Sequence, residues 1–161
     1  MDREAARALL SGAQEACTEL ELVEERVIAR MGRQQLLHRS PTPSVRIIMD
    51  EYALRRPVVD SKAWDEQLAH LADMSEVASV ALQVLPFAVG AHHLMDGSLT
   101  LLWQDDVSAV AYTRGDGCAE LIEDAAAVTR YRLSYDRHRD PALPPSESTA
   151  FIRGVLGSTG S

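Results

Sequence analysis

Prolines decide where this chain can hold regular structure. Pro41 and Pro43, then Pro57, then Pro86, then Pro144 and Pro145 divide it into stretches, each with its own periodicity. A proline fixes its own φ and has no N–H to donate, so helices and paired strands end near it. Ahead of Pro41 two helices are expected. Ala5, Ala6, Leu9 and Leu10 have helical spacing within residues 2–11, with Gly12 behind them. Thr18-Glu19-Leu20-Glu21 then reads as a capping box, and Leu20, Val23, Val27 and Met31 form one stripe at three- and four-residue steps.

Between Pro43 and Pro57 the β-branched run VRIIM, residues 45–49, reads as a strand. After Pro57, Asp60 or Ser61 caps a helix whose apolar face is Trp64, Leu68 and Leu71. The alternating SVALQVLPF is a strand that stops at Pro86. AVGAHHLMDG reads as a loop. SLTLLWQ and VSAVAYT, joined through Asp105-Asp106, read as a hairpin, and GCAELIE adds a short strand. Asp124 caps a helix carrying Val128, Tyr131 and Tyr135. Pro144-Pro145 and Ser146 start a last short helix with Phe151, Ile152 and Val155. This order implies an α+β fold, with a mostly antiparallel sheet of about four strands packed with N-terminal and C-terminal helices. Residues 1–157 are expected to form a single domain and residues 158–161 a flexible tail.

Composition bounds the function. A chain of 161 residues with 46% hydrophobic content can bury a core of its own. Its formal net charge is −8, Lys62 is its sole lysine, and its arginines are scattered. Nucleic-acid binding is therefore not expected, because phosphate contacts need massed cations. Cys17 and Cys118 have no metal spacing around them and read as buried, reduced thiols. The start, MDREAARALLSG, lacks the apolar core of a secretory signal, and no run reaches membrane-spanning length. A cytoplasmic protein without a membrane partner is expected.

Four phrases carry a family likeness: VEERVIARMGRQQLL, MDEYALRRPV, LQVLPFAVGAHHLMDGSLTLL, and the closing PPSES with FIRGVL. In that order, from about Ala5 to Leu156, they resemble the domain of unknown function that follows an XRE-type helix-turn-helix in antitoxin-like regulators of Streptomyces and related actinobacteria. The resemblance implies an effector or ligand-binding fold. Only residues 1–17 precede the second expected helix, and a helix-turn-helix needs more chain. The DNA-binding half is thus expected to be missing.

No nucleophile elbow, phosphate loop, dinucleotide fingerprint or zinc-protease motif occurs. His92-His93 with Asp96 is a candidate metal or acid–base cluster, but neighbouring side chains diverge, so no metal and no cofactor are expected. Asp50 and Glu51 point to opposite faces of an extended strand. Arg55 and Arg56 are expected to form ion pairs with these acids rather than hold a phosphate. Met49, Tyr52, Trp64, Leu68, Met95, Leu101, Trp103 and Tyr112 offer apolar, adaptable surface for a pocket.

The resulting expectation is a small-molecule-binding domain recruited to polyketide-type natural-product biosynthesis. It would act as a cofactor-independent cyclase that promotes an intramolecular cycloaddition by shape and one or two hydrogen bonds. Met49, Trp64, Leu68, Met95, Leu101, Trp103 and Tyr112 would hold the apolar substrate, and Tyr52 or His92 would donate the catalytic hydrogen bond. The alternative is a non-catalytic regulatory or antitoxin-like module that binds a metabolite or a partner protein. Under either reading the apolar stripes of the N-terminal helices lead to an expected homodimer. Size-exclusion chromatography with light scattering should give twice the chain mass at micromolar concentration, and a clean monomer would overturn this expectation.

Overall fold

In the computed structural model, residues 27–32, 35, 40–92, 95, 97–103, 109–115 and 118–159 are described. The chain falls into two compact units, Met1–Val84 with Leu143–Ser161, and Leu85–Ala142. The expected first helix and the capping box at Thr18 lie outside the described residues. So do Leu20 and Val23 of the expected stripe. Residues 27–32 are helical, and Val27 within them is fully buried.

The first unit contains β1 (Val45–Asp50), α1 (Tyr52–Arg55), α2 (Ser61–Ser75), β2 (Val80–Leu85) and α4 (Pro145–Thr159). The label α3 belongs to Ala125–Arg139 in the second unit. The strands β1 and β2 form a two-stranded sheet, and the Val45 N–H bonds to the Ser79 carbonyl at 2.8 Å, so the two strands begin side by side. Helix α2 starts where expected: the Asp60 side chain accepts from the Ala63 N–H at 3.1 Å, satisfying one of the four donors a helix start leaves open. Its buried stripe of Trp64, Leu68 and Ala72 packs on Leu54, Leu82, Val84, Ile152 and Val155 to make the core of this unit. Helix α4 closes that core. Ser75 and Thr149 share a hydroxyl–hydroxyl bond of 2.8 Å, and Arg153 donates to Glu76 at 2.6 Å.

The C-terminal segment is keyed to β2 by one buried serine. Ser148 is fully buried, and its Oγ accepts from the Val84 N–H at 2.9 Å and donates to the Leu143 carbonyl at 3.1 Å. The Leu143 N–H in turn donates to the Val84 carbonyl at 2.9 Å. Both backbone groups of a fully buried residue are thus paired off the sheet.

The second unit contains β3 (Ser98–Trp103), β4 (Ala109–Arg114), β5 (Ala119–Ile122) and α3 (Ala125–Arg139). The three strands form an antiparallel sheet in the order β3-β4-β5, with Leu101 opposite Ala111 and Ala111 opposite Ile122. Leu99, Leu101, Ala111 and Ile122 face Val128, Ala127 and Tyr131 of α3. The expected hairpin is present, although the residues of its turn lie outside the described ones. Asp124 caps α3 as expected, accepting from the Ala127 N–H at 2.7 Å. Gly97 is required by a close approach: a Cβ there would stand 2.6 Å from the Arg114 carbonyl oxygen, where no side chain fits.

The α+β class is therefore present, with its described strands shared between a separate pair and a three-stranded antiparallel sheet. Three details differ from expectation. DEYALRR holds the short helix α1 between strand and proline, because the Asp50 carboxylate accepts from the Tyr52 N–H at 2.7 Å and turns the chain. Helix α4 is fifteen residues long and runs to Thr159, past the expected end of the domain at residue 157. Cys118 is exposed rather than buried, because it sits at the turn into β5, where its carbonyl accepts from Gly115. Cys17 lies outside the described residues. No helix among the described residues is long and apolar enough to cross a membrane.

Replacing Ser148 by alanine should lower the unfolding free energy by about 1–3 kcal/mol, the cost of a buried N–H left without a partner. Urea denaturation of the two proteins measures it, and an unchanged midpoint would show that Val84 finds another acceptor.

Candidate functional site

A cleft of about 320 Å³ opens on the first unit, lined by Arg55, Phe151, Gly154, Val155 and Ser158. Helix α1 supplies the charge. Glu51, just ahead of α1, is buried at 7% exposure, and a buried carboxylate is costly unless it is paired. Its partner is Arg55, one turn on, whose Nε donates to Glu51 Oε1 at 2.5 Å. The pairing expected for Arg55 is thus observed. It uses Nε and leaves the two terminal amino groups of Arg55 without a hydrogen bond among the described residues. The guanidinium carbon stands 5.3 Å from the centroid of the Phe151 ring, at cation–π distance. Arg56, expected to pair with an acid, instead stacks 5.3 Å from the Tyr52 ring.

Helix α4 supplies the apolar wall and the floor. Phe151 and Val155 are one turn apart; Phe151 is half-buried at the cleft, and Val155, a core residue like Ile152, lines it with what little of its side chain is exposed. Gly154 lies inside that helix. An interior glycine costs about 1 kcal/mol relative to alanine. Nothing stands within 4 Å of where its Cβ would be, so packing does not require it. What the missing side chain leaves is open space beside Phe151 and Arg55. The Ser158 hydroxyl donates back to the Val155 carbonyl at 2.7 Å and completes the far rim.

The residues expected to form a site from the sequence lie elsewhere. In the first unit, Trp64 and Leu68 are core residues at 6% and 0% exposure, and Met49 packs against them. Tyr52 is half exposed on α1 beneath Arg56. In the second unit, Leu101 packs under α3, whereas Trp103 and Met95 are more exposed than buried. Tyr112 lies on the sheet face away from α3, opposite Thr100 and Leu121. His92 is half-buried, with its ring edge-on to His138 at a centroid distance of 4.9 Å. None of these nine residues lines the cleft. Gly154 and Ser158 were not singled out in the sequence, though a glycine inside FIRGVLGS, an otherwise amphipathic helix, is a readable signal for them.

A family model described as a domain of unknown function, DUF5753, matches residues 3–154. No curated protein and no solved structure matches the chain.

Replacing Gly154 by alanine should stabilise the protein by about 0.4–1 kcal/mol, since the methyl group meets no neighbour and the unfolded chain loses freedom. Thermal denaturation measures this. A lowered midpoint would show that the glycine is needed for packing.

Proposed function

This chain belongs to the DUF5753 family, and on that premise we propose that it is a non-catalytic binding module for a small apolar ligand ending in a carboxylate. One observation carries the reading: an arginine with uncommitted N–H donors stands over an aromatic ring at a cleft floored by glycine. The guanidinium fork matches a carboxylate geometrically and forms charge-assisted hydrogen bonds to it. Phe151 and Val155 take the apolar part. A cleft of about 320 Å³ is at the lower end of the size range of small-molecule sites, which suits a compact ligand.

The lining chemistry favours holding over conversion. Arginine keeps its proton at any ordinary pH, phenylalanine and valine have none to exchange, and the Ser158 proton is directed at the helix backbone. The cyclisation expected from the sequence drew its walls from Met49, Trp64, Leu68, Met95, Leu101, Trp103 and Tyr112, none of which lines this cleft, and the residues that do line it support the binding reading. A metabolite-sensing role, as in the effector half of a regulator, fits such a cleft.

An NMR titration of the labelled chain with octanoate, and in parallel with neutral octanol, tests the reading. Octanoate should shift the Phe151, Gly154 and Val155 amides saturably. It should bind about tenfold or more tightly than octanol, the ratio expected from one charge-assisted bond. Gly154→Leu, which fills the floor and leaves Arg55 and Glu51 intact, should abolish the shifts. Equal binding of the two probes, or shifts spread away from the cleft, would overturn it.

A further inference from the structure

The chain has 24 acidic residues against 16 lysines and arginines, yet α3 carries four arginines between residues 130 and 139. Arg139 is held by Asp136 at 3.0 Å and by Asp140 at 3.4 Å. Arg130, Arg132 and Arg137 are exposed, and none of them has a carboxylate at ion-pair distance among the described residues. The fold fixes where these side chains stand. Ala127, Val128 and Tyr131 pack with the sheet residues, and Ser134 and His138 continue that buried side at helical spacing. The side turned away from the sheet therefore carries Arg130, Leu133 and Arg137, at steps of three and four residues. Leu133 is 54% exposed, so an apolar side chain stands in water between two unpaired cations.

The same spacing with the opposite charge occurs on α2. Its core side is Trp64, Leu68 and Ala72, so Glu66, Ala69 and Asp73 fall on its far side, again at steps of three and four. Glu66 and Asp73 are exposed, and Ala69 is half-buried. Among the described residues Asp73 has no cation at ion-pair distance, and Glu66 has the exposed Lys62 at 3.9 Å. In both triplets the end charges are seven residues apart, about 10.5 Å along the helix axis. Laid side by side, two such helices bring each arginine to a carboxylate whichever way they run. Leu133 then falls on or next to Ala69, whose small side chain lets the helices approach closely. A protein surface suits this face better than a phosphate backbone, because Leu133 finds an apolar contact only on the former.

We propose that the Arg130–Leu133–Arg137 face of α3 docks on the Glu66–Ala69–Asp73 face of α2 in a second copy of the chain. Each copy carries both faces, so a two-fold dimer makes the contact twice. Exposed ion pairs contribute little by themselves. Here they set the register and speed the encounter, while the covered leucines hold the complex. The contact weakens as salt screens the charges. It uses neither the cleft nor the apolar stripes of the N-terminal helices on which the sequence places its dimer.

Sedimentation equilibrium of the full chain, at low and at molar salt, tests this. The parent should dimerise at low salt and dissociate toward monomer at molar salt. Arg130→Glu with Arg137→Glu, and separately Glu66→Arg with Asp73→Arg, should each weaken self-association by about 100-fold or more, since like charges then face each other. Mixing the two double variants in equal amounts should restore a dimer, because each brings the faces that complement the other's. Should a charge-reversed chain fail to fold, as circular dichroism would reveal, Leu133→Gln carries the test, and it should weaken the dimer by about 10-fold or more. A parent that stays monomeric at low salt, variants that dimerise as the parent does, or a mixture of folded variants that stays monomeric would each overturn the proposal. Binding of a short DNA duplex by the parent, lost in Arg130→Glu with Arg137→Glu, would overturn it too, by showing phosphate to be the occupant of this face.

Discussion

The first unit depends on how Val84 satisfies its backbone. Among the described residues its sheet has two strands, so one edge of β2 has no described strand beside it. Val84 is fully buried, and an unpaired amide or carbonyl there costs about as much as a lost hydrogen bond. Ser148, 64 positions further along the chain, accepts from the amide, and Leu143 donates to the carbonyl. A third strand would have done the same. A serine and the backbone of Leu143 do it instead, and the Gln83 side chain adds a bond to the Leu143 carbonyl at 3.0 Å. The consequence is that α4 can begin in one place only.

The position of α4 generates the cleft. With Ser148 fixed, Ile152 and Val155 turn toward the core, and Phe151 comes round to meet Arg55. Arg55 is itself positioned from the other side by buried Glu51, whose carboxylate demands a cation close by. The site thus results from two satisfied burials, an amide on β2 and a carboxylate ahead of α1. Gly154 contributes by omission. It adds no contact and costs helix stability, which makes sense where open space is what the fold keeps.

The second unit follows a different logic. Its sheet has alternating faces, and α3 covers only the one that carries Leu99, Leu101, Ala111 and Ile122. Leu102, Tyr112 and Leu121 remain exposed on the other face. The segment leading into β3 contains Gly90, at φ 78°, which only glycine adopts at little cost, and Gly97, pressed against the Arg114 carbonyl. Between these glycines lies His92, close to a histidine from the end of α3.

Much of the local structure was legible in the sequence. The Asp60 and Asp124 caps, the strand at VRIIM, the strand halted by Pro86 and the hairpin all follow from rules that act over a few residues. A cap or a breaker exerts its effect on neighbouring peptide groups, so the sequence by itself determines it. The Arg55–Glu51 pair was readable for the same reason, the two residues being one helical turn apart. Partnerships across the chain were not readable. That Trp64 would be core, that Arg55 would stand over Phe151, and that His92 would meet His138 rather than His93 were decided by packing. An aromatic or apolar residue with helical spacing signals burial equally well in a core or in a pocket, and only the tertiary structure says which wall it forms.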